Sequence, residues 1–290
     1  MFEYLLLYNN PQAQPNPRLG TSRTYIMAPV PTLSFKCALI TGGAGGLGKA
    51  MATDLVKMGK KVIIAGRTES KLQSTAKEIG AAAYYVLDTG DIPSLEAFVR
   101  RITEEHPELD CLINNAGVQR PFQVLGPDYD FDLSKADQEI NINMRGPLHL
   151  CVLLVQDHFK NLSSGAVIIN VSSVLGFNPF SVINPVYNGT KAWLHFFTTN
   201  LRTQLSQADS KIKVVEIAPP SVETDLHRER VDPDDNKKSK GASALSVEEF
   251  MEEVKKGWEE NVDTIGPGMA GKQVAQWDDT FGKIYKEMTG

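Results

Sequence analysis

The chain has 290 residues, a hydrophobic content of 42% and a formal net charge of −5. This length suits one large α/β domain or two small ones, and the apolar content supports a sizeable core. The acidic balance and the lack of a long basic run argue against a nucleic-acid surface. No apolar stretch approaches the roughly 18 residues that cross a membrane, so we expect no membrane span.

The cysteines lie far apart, at Cys37, Cys111 and Cys151, and none belongs to a CxxC or Cys/His arrangement typical of metal sites. Each lies in an apolar run, so we expect buried free thiols and no bound metal. Free thiols suit a reducing compartment, and the N-terminus lacks the positive region and cleavage site of a secretory signal. We therefore predict a cytoplasmic protein.

Patterned sequence begins only at Phe35, and Met27 is a candidate alternative start. We predict one domain with three regions, namely an irregular N-terminal extension over 1–34, a core over 35–226, and a lid with a C-terminal segment over 227–290.

A glycine-rich turn, TGGAGGLG over 41–48, lies between a predicted strand, Phe35 to Ile40, and a helical pattern, Lys49 to Met58. Glycines let the backbone approach a pyrophosphate, and the helix N-terminus supplies free N–H groups and a positive dipole end. Strand and helix flank the turn as the motif requires, so we predict nucleotide binding here. The expected contacts are Gly42, Gly46, Leu47 and Gly48.

The second predicted strand, Val62 to Ala65, ends in Gly66-Arg67. In dinucleotide-binding folds an acid at this point binds the ribose 2′-hydroxyl of NAD, whereas an arginine accommodates the 2′-phosphate of NADP. Because Gly66 occupies the acid position, Arg67 predicts NADP in preference to NAD. The alternative is that Arg67 is a solvated residue that caps the next helix, Ser70 to Ile79.

The third and fourth predicted strands also end in polar residues. Tyr84 to Leu87 ends at Asp88, whose carboxylate is a candidate acceptor for the adenine amino group or a cap for the helix near Pro93. Leu109 to Ile113 runs into Asn114-Asn115-Ala116-Gly117, whose small residues leave room for a ribose. Repeated strand–helix alternation predicts an α/β protein with a doubly wound parallel β-sheet, the Rossmann fold.

Polar residues also mark the second half. A long helix predicted over 134–158 carries Asn143, and an asparagine inside a helix is unfavourable unless its amide bonds elsewhere. A fifth strand, Gly165 to Val171, is followed by Ser172-Ser173, at the sheet edge where ligands bind. A sixth strand, Lys213 to Ala218, runs into Pro219-Pro220.

The motif YNGTK over 187–191 lies in a predicted helix, Pro185 to about Ser206, so Tyr187 and Lys191 share one face. A neighbouring ammonium favours phenolate and would lower the pKa of the phenol from about 10 toward the range where acid–base transfer is effective. Taken alone, YxxxK is most often a surface tyrosine followed by a surface lysine.

In this order and spacing, TGGAGGLG, NNAG, Asn143, the paired serines and YNGTK resemble the short-chain dehydrogenase/reductase family over about residues 34–226. The resemblance implies a catalytic tetrad, which carries over as Asn143, Ser173, Tyr187 and Lys191. The implied cofactor contacts beyond the glycine turn are Arg67, Asp88, Asn115, Ala116, Gly117, Tyr187, Lys191, Val222 and Thr224.

Two departures from the family pattern stand out. The segment from Ser173 to Tyr187 is about one residue longer than in many members, which leaves Ser172 as an alternative serine. Pro219-Pro220 replaces the usual Pro-Gly and removes a backbone donor near the nicotinamide. With Val222, Thr224 and Leu226, the double proline resembles a DltE-like subgroup.

The resemblance implies an NADP-dependent oxidoreductase that interconverts a ketone and a secondary alcohol, with Tyr187 as general acid/base. It also implies that Asn143 holds a water that links Lys191 to solvent, and that the protein is a homodimer or homotetramer. The apolar loop Phe177-Asn178-Pro179-Phe180 with Val182-Ile183 favours a hydrophobic small-molecule substrate, but core packing explains it equally well. The alternative functions are a 3-oxoacyl reductase and a non-catalytic NADP-binding sensor.

The C-terminal region begins with a strongly charged stretch over 227–242, which we expect to be mobile, followed by a predicted helix, Ser246 to about Glu260. We expect both to form a lid that closes over the substrate. GPGMAGK over 266–272 matches the start of a phosphate-binding loop, but Gln273 replaces the hydroxyl that binds magnesium, so we assign no nucleotide site there.

Overall fold

The computed structural model describes residues 30–125, 131–241 and 243–289. Nearly all of the predicted N-terminal extension lies outside these residues, so its irregularity stays a prediction. The strands are β1 Cys37–Thr41, β2 Lys61–Gly66, β3 Ala83–Val86, β4 Cys111–Asn114, β5 Ala166–Val171, β6 Ile212–Ile217 and β7 Thr264–Ile265. The helices are α1 Gly46–Lys57, α2 Glu69–Ile79, α3 Leu95–Glu105, α4 Leu133–Ile140, α5 Gly146–Asp157, α6 Pro185–Gln207, α7 Val247–Glu259, α8 Ala270–Trp277 and α9 Lys283–Thr289.

In the described part of the chain the strands form one parallel sheet in the order β3-β2-β1-β4-β5-β6-β7. The chain runs outward from β1 to β3 and then crosses back to β4, so the direction of winding reverses between β1 and β4. Open α/β sheets bind ligands at the carboxyl edge of this switch point. The predicted doubly wound Rossmann fold is therefore confirmed.

Both faces of the sheet are buried. Along β1, Ala38 and Ile40 belong to one apolar cluster, whereas Cys37 and Leu39 belong to the other. Successive side chains of a strand point to opposite faces, so helices on both sides produce the continuous apolar runs of the sequence. The three cysteines are buried free thiols, as predicted.

The predicted lid helix is part of the core instead. α7 begins with a capping box formed by Ser246 and Glu249, as its sequence suggests. Its apolar residues Phe250, Val254 and Trp258 are almost completely buried in the same cluster as residues of α1 and β6. α7 is therefore a core helix, and the lid role of the charged stretch before it stays a prediction.

The strand β7 escaped prediction because it is only two residues long, too short to carry an alternation pattern. It pairs with Glu216 and Ile217 of β6 and extends the sheet. Among the described residues, no helix has both the length and the apolar character needed to cross a membrane.

Candidate active site

A cleft of about 530 Å³ lies at the carboxyl edge of the sheet, above the switch point. It brings together most residues singled out from the sequence. These are Gly42, Gly46, Leu47, Arg67, Asn115, Ala116, Gly117, Ser173, Tyr187, Lys191, Val222 and Thr224. Gly48, Asp88 and Asn143 were predicted too but lie outside the lining, and the paragraphs below give their positions.

The glycine turn forms one wall of the cleft. Gly42 and Gly46 have positive φ angles of 67° and 49°, a conformation that side chains disfavour. A Cβ on Gly48 would lie 2.3 Å from the Gly42 carbonyl oxygen and 2.4 Å from Nδ2 of Asn115. Gly48 therefore acts behind the cleft, where it lets the start of α1 pack against the loop after β4.

Gly48→Ala is expected to destabilise the protein by about 1–3 kcal/mol, because the added methyl group forces the turn away from Asn115. Gly45→Ala is the matched control, since nothing lies within 4 Å of a Cβ at that position in the same turn. Thermal unfolding of both variants checks the prediction. Equal losses of Tm in the two variants would contradict it.

The loop after β4 is hydrogen-bonded to the end of β1. Asn115 Nδ2 donates to the carbonyl oxygen of Thr41 at 3.0 Å. The Thr41 hydroxyl accepts from the backbone N–H groups of Asn115 at 3.1 Å and Ala116 at 3.0 Å. These bonds hold the two strand ends together and leave Gly117 open toward the cleft.

Arg67 is exposed at the carboxyl end of β2 and lines the cleft together with Thr68 and Lys71. The N-cap of α2 is Thr68, so Arg67 does not occupy the capping position of the alternative interpretation. Among the residues that the structure describes, none forms an ion pair with Arg67. Lys71 lies in the first turn of α2, four residues after Arg67 and at the same helix end. The sequence analysis did not single it out.

Asp88 does not reach the cleft. Its carboxylate accepts from the backbone N–H of Gly90 at 2.8 Å, two residues further on. The next helical turn begins at Ile92 and α3 only at Leu95, so the predicted capping of that helix by Asp88 is wrong. Short-range bonding of this kind is common for aspartate in turns.

Tyr187, Ser173 and Lys191 meet at the floor of the cleft. Tyr187 and Lys191 lie on one face of α6, with Lys191 Nζ 5.5 Å from the centroid of the tyrosine ring. The Ser173 side chain faces the phenol closely enough to lower its pKa. Lys191 Nζ donates to the carbonyl oxygen of Val171 at 2.8 Å.

Burial controls the ionisation of Tyr187 and Lys191. It raises the pKa of Tyr187 above the usual phenol range, and the Ser173 side chain and the charge of Arg230 only partly oppose it. The predicted lowering of the pKa is therefore wrong in direction. Burial also lowers the pKa of Lys191 to about 8. A phenol that keeps its proton at neutral pH is suited to donate it.

Asn143 lies behind Lys191 in a π-helical turn, Asn141–Arg145, that separates α4 from α5. Single π turns inside α-helices are frequent at functional sites. The Asn143 amide donates to the carbonyl oxygen of Val118 at 2.8 Å and accepts from its N–H at 3.0 Å. A Cβ on Gly117 would lie 3.3 Å from Asn143 Oδ1 and 3.7 Å from Lys191 Nζ, so both side chains approach the same glycine.

The paired serines have different partners. The Ser172 hydroxyl donates to the buried carboxylate of Glu216, which His195 contacts on its other oxygen. The Ser173 hydroxyl accepts from the N–H of Leu175 and faces Tyr187. Ser173 is therefore the serine beside the tyrosine.

A short covering segment over 225–236 forms the opposite wall of the cleft. Arg230 donates to Oε1 of Gln119 at 2.8 Å and to Oδ1 of Asn184 at 2.7 Å, and pairs with Asp235 at 2.6 Å. These bonds anchor a stretch predicted to be mobile. Arg230, His227 and Gln119 escaped the sequence analysis because their contacts join residues far apart in the chain.

The apolar loop over 177–183 supports both interpretations, a contact with a hydrophobic substrate and ordinary packing against the core. Phe180 is 52% exposed and lines the cleft, as expected of a substrate loop. Phe177 instead packs against His195, with ring centroids 4.1 Å apart, and against Trp277 of α8.

A family model described as short chain dehydrogenase matches residues 36–235, most of the chain. The chain belongs to the short-chain dehydrogenases. It is 34% identical to the oxidoreductase DltE of Bacillus subtilis (strain 168) over 84% of this chain and 94% of that protein. The predicted family and its DltE-like subgroup are thereby confirmed.

Two solved structures are similar to this short-chain dehydrogenase. A short-chain dehydrogenase from Sphingobium yanoikuyae in complex with NADPH superposes with a TM-score of 0.71 at 22% identity, over 88% of this chain and 95% of that one. A 3-ketoacyl-(acyl-carrier-protein) reductase from Brucella melitensis complexed with NADH gives 0.67 at 28% identity, over 79% and 95%. Both structural similarities support the assignment of the fold.

Proposed function

We propose that this short-chain dehydrogenase is an NADP-dependent oxidoreductase that interconverts a ketone and a secondary alcohol. The observation that carries the proposal is the convergence of Tyr187, Ser173 and Lys191 on one cleft that the glycine turn also lines. When bound, the nicotinamide supplies or accepts the hydride.

The residues of the chain would orient the carbonyl and provide the proton. The hydroxyls of Ser173 and Tyr187 would donate hydrogen bonds to the carbonyl oxygen, where negative charge develops. Tyr187, protonated at neutral pH, would then transfer its proton to that oxygen. Lys191 would hold the nicotinamide ribose, and Asn143 would hold a water that links Lys191 to solvent.

The cleft fits a dinucleotide. The positive φ angles at Gly42 and Gly46 shape the glycine turn that lines the cleft, and this turn suits a pyrophosphate beside the N-terminus of α1. Arg67 and Lys71 add two positive charges at the end of β2, where a 2′-phosphate would bind. We therefore favour NADP over NAD.

The substrate is proposed to be a small molecule with an apolar part that contacts Phe180 and Leu226, both in the cleft lining. A 3-oxoacyl reductase is the nearest alternative, because the similar Brucella melitensis protein carries that name. We also propose that the protein is a homodimer or homotetramer and that it lies in the cytoplasm.

The test is NADPH oxidation, followed at 340 nm, with a panel of aliphatic, aryl and bulky ketones and 3-oxoacyl esters. Reduction of at least one ketone class, with little activity toward 3-oxoacyl esters, is the expected result. Preference for 3-oxoacyl esters would favour the alternative reductase. NADPH binding without any turnover would favour a non-catalytic sensor.

A further inference from the structure

Glu139 is a buried acid near the active site that the proposed mechanism does not use. It lies on α4, and only 1% of its surface is exposed. Its carboxyl group lies near the backbone of Arg120, and its Oε1 atom has no hydrogen-bond partner in the part of the chain that the structure describes. An unpartnered buried oxygen costs folding free energy, so its presence calls for an explanation.

The position of α4 brings this carboxyl close to the catalytic helix. α4 packs against α6, and Glu139 interacts electrostatically with both Tyr187 and Lys191. Each of these two groups is buried, so a charge nearby is weakly screened. Glu139 is therefore placed to influence the ionisation of the catalytic groups.

The neighbouring positive charge does not neutralise Glu139. The Arg120 guanidinium donates to the carboxylate of Glu229 at 3.0 Å, and its other nitrogens bond with the Lys135 carbonyl and with Gln138. The ionisable groups that face Glu139 are Arg120 from the loop after β4, Glu229 from the covering segment, Tyr187 and Lys191 from α6, and Asp132 and Lys135 from the N-cap and first turn of α4.

A second, smaller cavity gives Glu139 a route for proton exchange. It measures about 110 Å³ and shares no lining residue with the substrate cleft. Its walls include Phe122, Val186 and the charged groups Arg120 and Glu229. Glu139 lines this cavity, and a polar cavity of this size has room for water, which would let protons reach the carboxyl without passing the substrate.

We propose that Glu139 is a positioning residue that exchanges its proton through the small cavity and sets the pH range over which Lys191 stays charged. The proposal rests on the proposed function, in which the Lys191 ammonium holds the cofactor ribose. Burial raises the pKa of Glu139 to about 8 and lowers that of Lys191 to about 8, so both groups change charge in the same range. As Glu139 becomes anionic it favours the ammonium, and the two groups titrate as a coupled pair.

The first test measures NADPH affinity between pH 6 and 9.5 by fluorescence. Wild-type affinity should weaken as Lys191 loses its proton, and in Glu139→Gln the midpoint should move down by at least about half a pH unit, which makes binding roughly twofold weaker at pH 8 and about threefold weaker well above the midpoint. The two proteins should bind NADPH equally at pH 6, where Glu139 is uncharged. Asp137→Asn, an exposed acid on the same helix, should match the wild type.

An unchanged midpoint in Glu139→Gln would overturn the proposal. The proposal would also be overturned if NADPH affinity kept the same pH midpoint in Lys191→Met, because the pH dependence would then belong to another group. Neither measurement needs turnover, so failure of the ketone panel would reject the proposed reaction without deciding the role of Glu139.

The second test needs no cofactor and follows Tm against pH. The folded-state pKa of Glu139 lies above its ordinary value, so its protonated form stabilises the fold at low pH and this stability is lost as pH rises toward 8. Glu139→Gln should therefore gain Tm relative to the wild type between about pH 5 and 8. In a Lys191→Met background the gain should begin at the same pH but continue to higher pH and become larger, because Lys191 lowers the folded-state pKa of Glu139. Parallel curves, or a gain that ends at the same pH in that background, would overturn the proposal.

Discussion

Tyr187→Phe is expected to lower kcat for ketone reduction by about 10²- to 10⁴-fold, the usual contribution of a general acid, while NADPH still binds. The phenol is 4% exposed and packs with Val174, Leu175 and Ala270. Phenylalanine keeps those apolar contacts and removes only the hydroxyl that faces Ser173. The fold should therefore survive while the proton donor is lost.

The measurement is the steady-state rate of NADPH oxidation with the best ketone of the panel, beside NADPH affinity and Tm for the same variant. Tyr84→Phe makes the same chemical change at a partly buried tyrosine outside the cleft and should keep the wild-type rate. A normal kcat in Tyr187→Phe would remove the tyrosine from the mechanism. Loss of NADPH binding would indicate a structural effect instead.

Arg67→Ala is expected to raise KM for NADPH by about 10- to 100-fold and to leave KM for NADH nearly unchanged. A hydrogen bond to a charged group contributes about 1.5–3 kcal/mol, and each 1.4 kcal/mol is about tenfold in affinity. The guanidinium is exposed at the end of β2 and free of ion pairs within the described chain, so it is available to a phosphate. Lys71 supplies a second charge and keeps the loss from being total.

Lys77→Ala is the matched control, because it removes one positive charge from an exposed position on α2 that does not line the cleft. It should change neither KM. Steady-state kinetics with both cofactors on the three proteins would check the prediction. Equal effects of Arg67→Ala on NADPH and NADH would show that the arginine does not read the 2′-phosphate.

Local patterns were enough to predict the fold and most of the cleft. The helix predicted from Pro185 to about Ser206 is α6, Pro185–Gln207, and the six longer strands lie within about two residues of their predicted positions. A glycine turn between strand and helix, and apolar runs of strand length, depend on residues close in sequence. Parallel strands then collect their carboxyl ends at one edge, which brings the predicted site residues together.

Helix periodicity was less informative where a local pattern has two structural outcomes. The apolar face of α7 is compatible with a lid or with a core helix, and its packing against α1 decided for the core. The π turn at Asn141–Arg145 interrupts what the sequence presents as one helix. In both cases the deciding contacts come from other elements.

The sequence by itself determined the family, the sheet, and the pairing of Tyr187 with Lys191 on one helix face, because these follow from short-range spacing. Only the tertiary structure decided that Ser173 and not Ser172 faces the tyrosine, since Glu216 of a neighbouring strand holds Ser172. The tertiary structure alone also decided that the pKa of Tyr187 is raised and not lowered. Burial is the sum of contacts from distant segments, and here it outweighs the charges near the phenol.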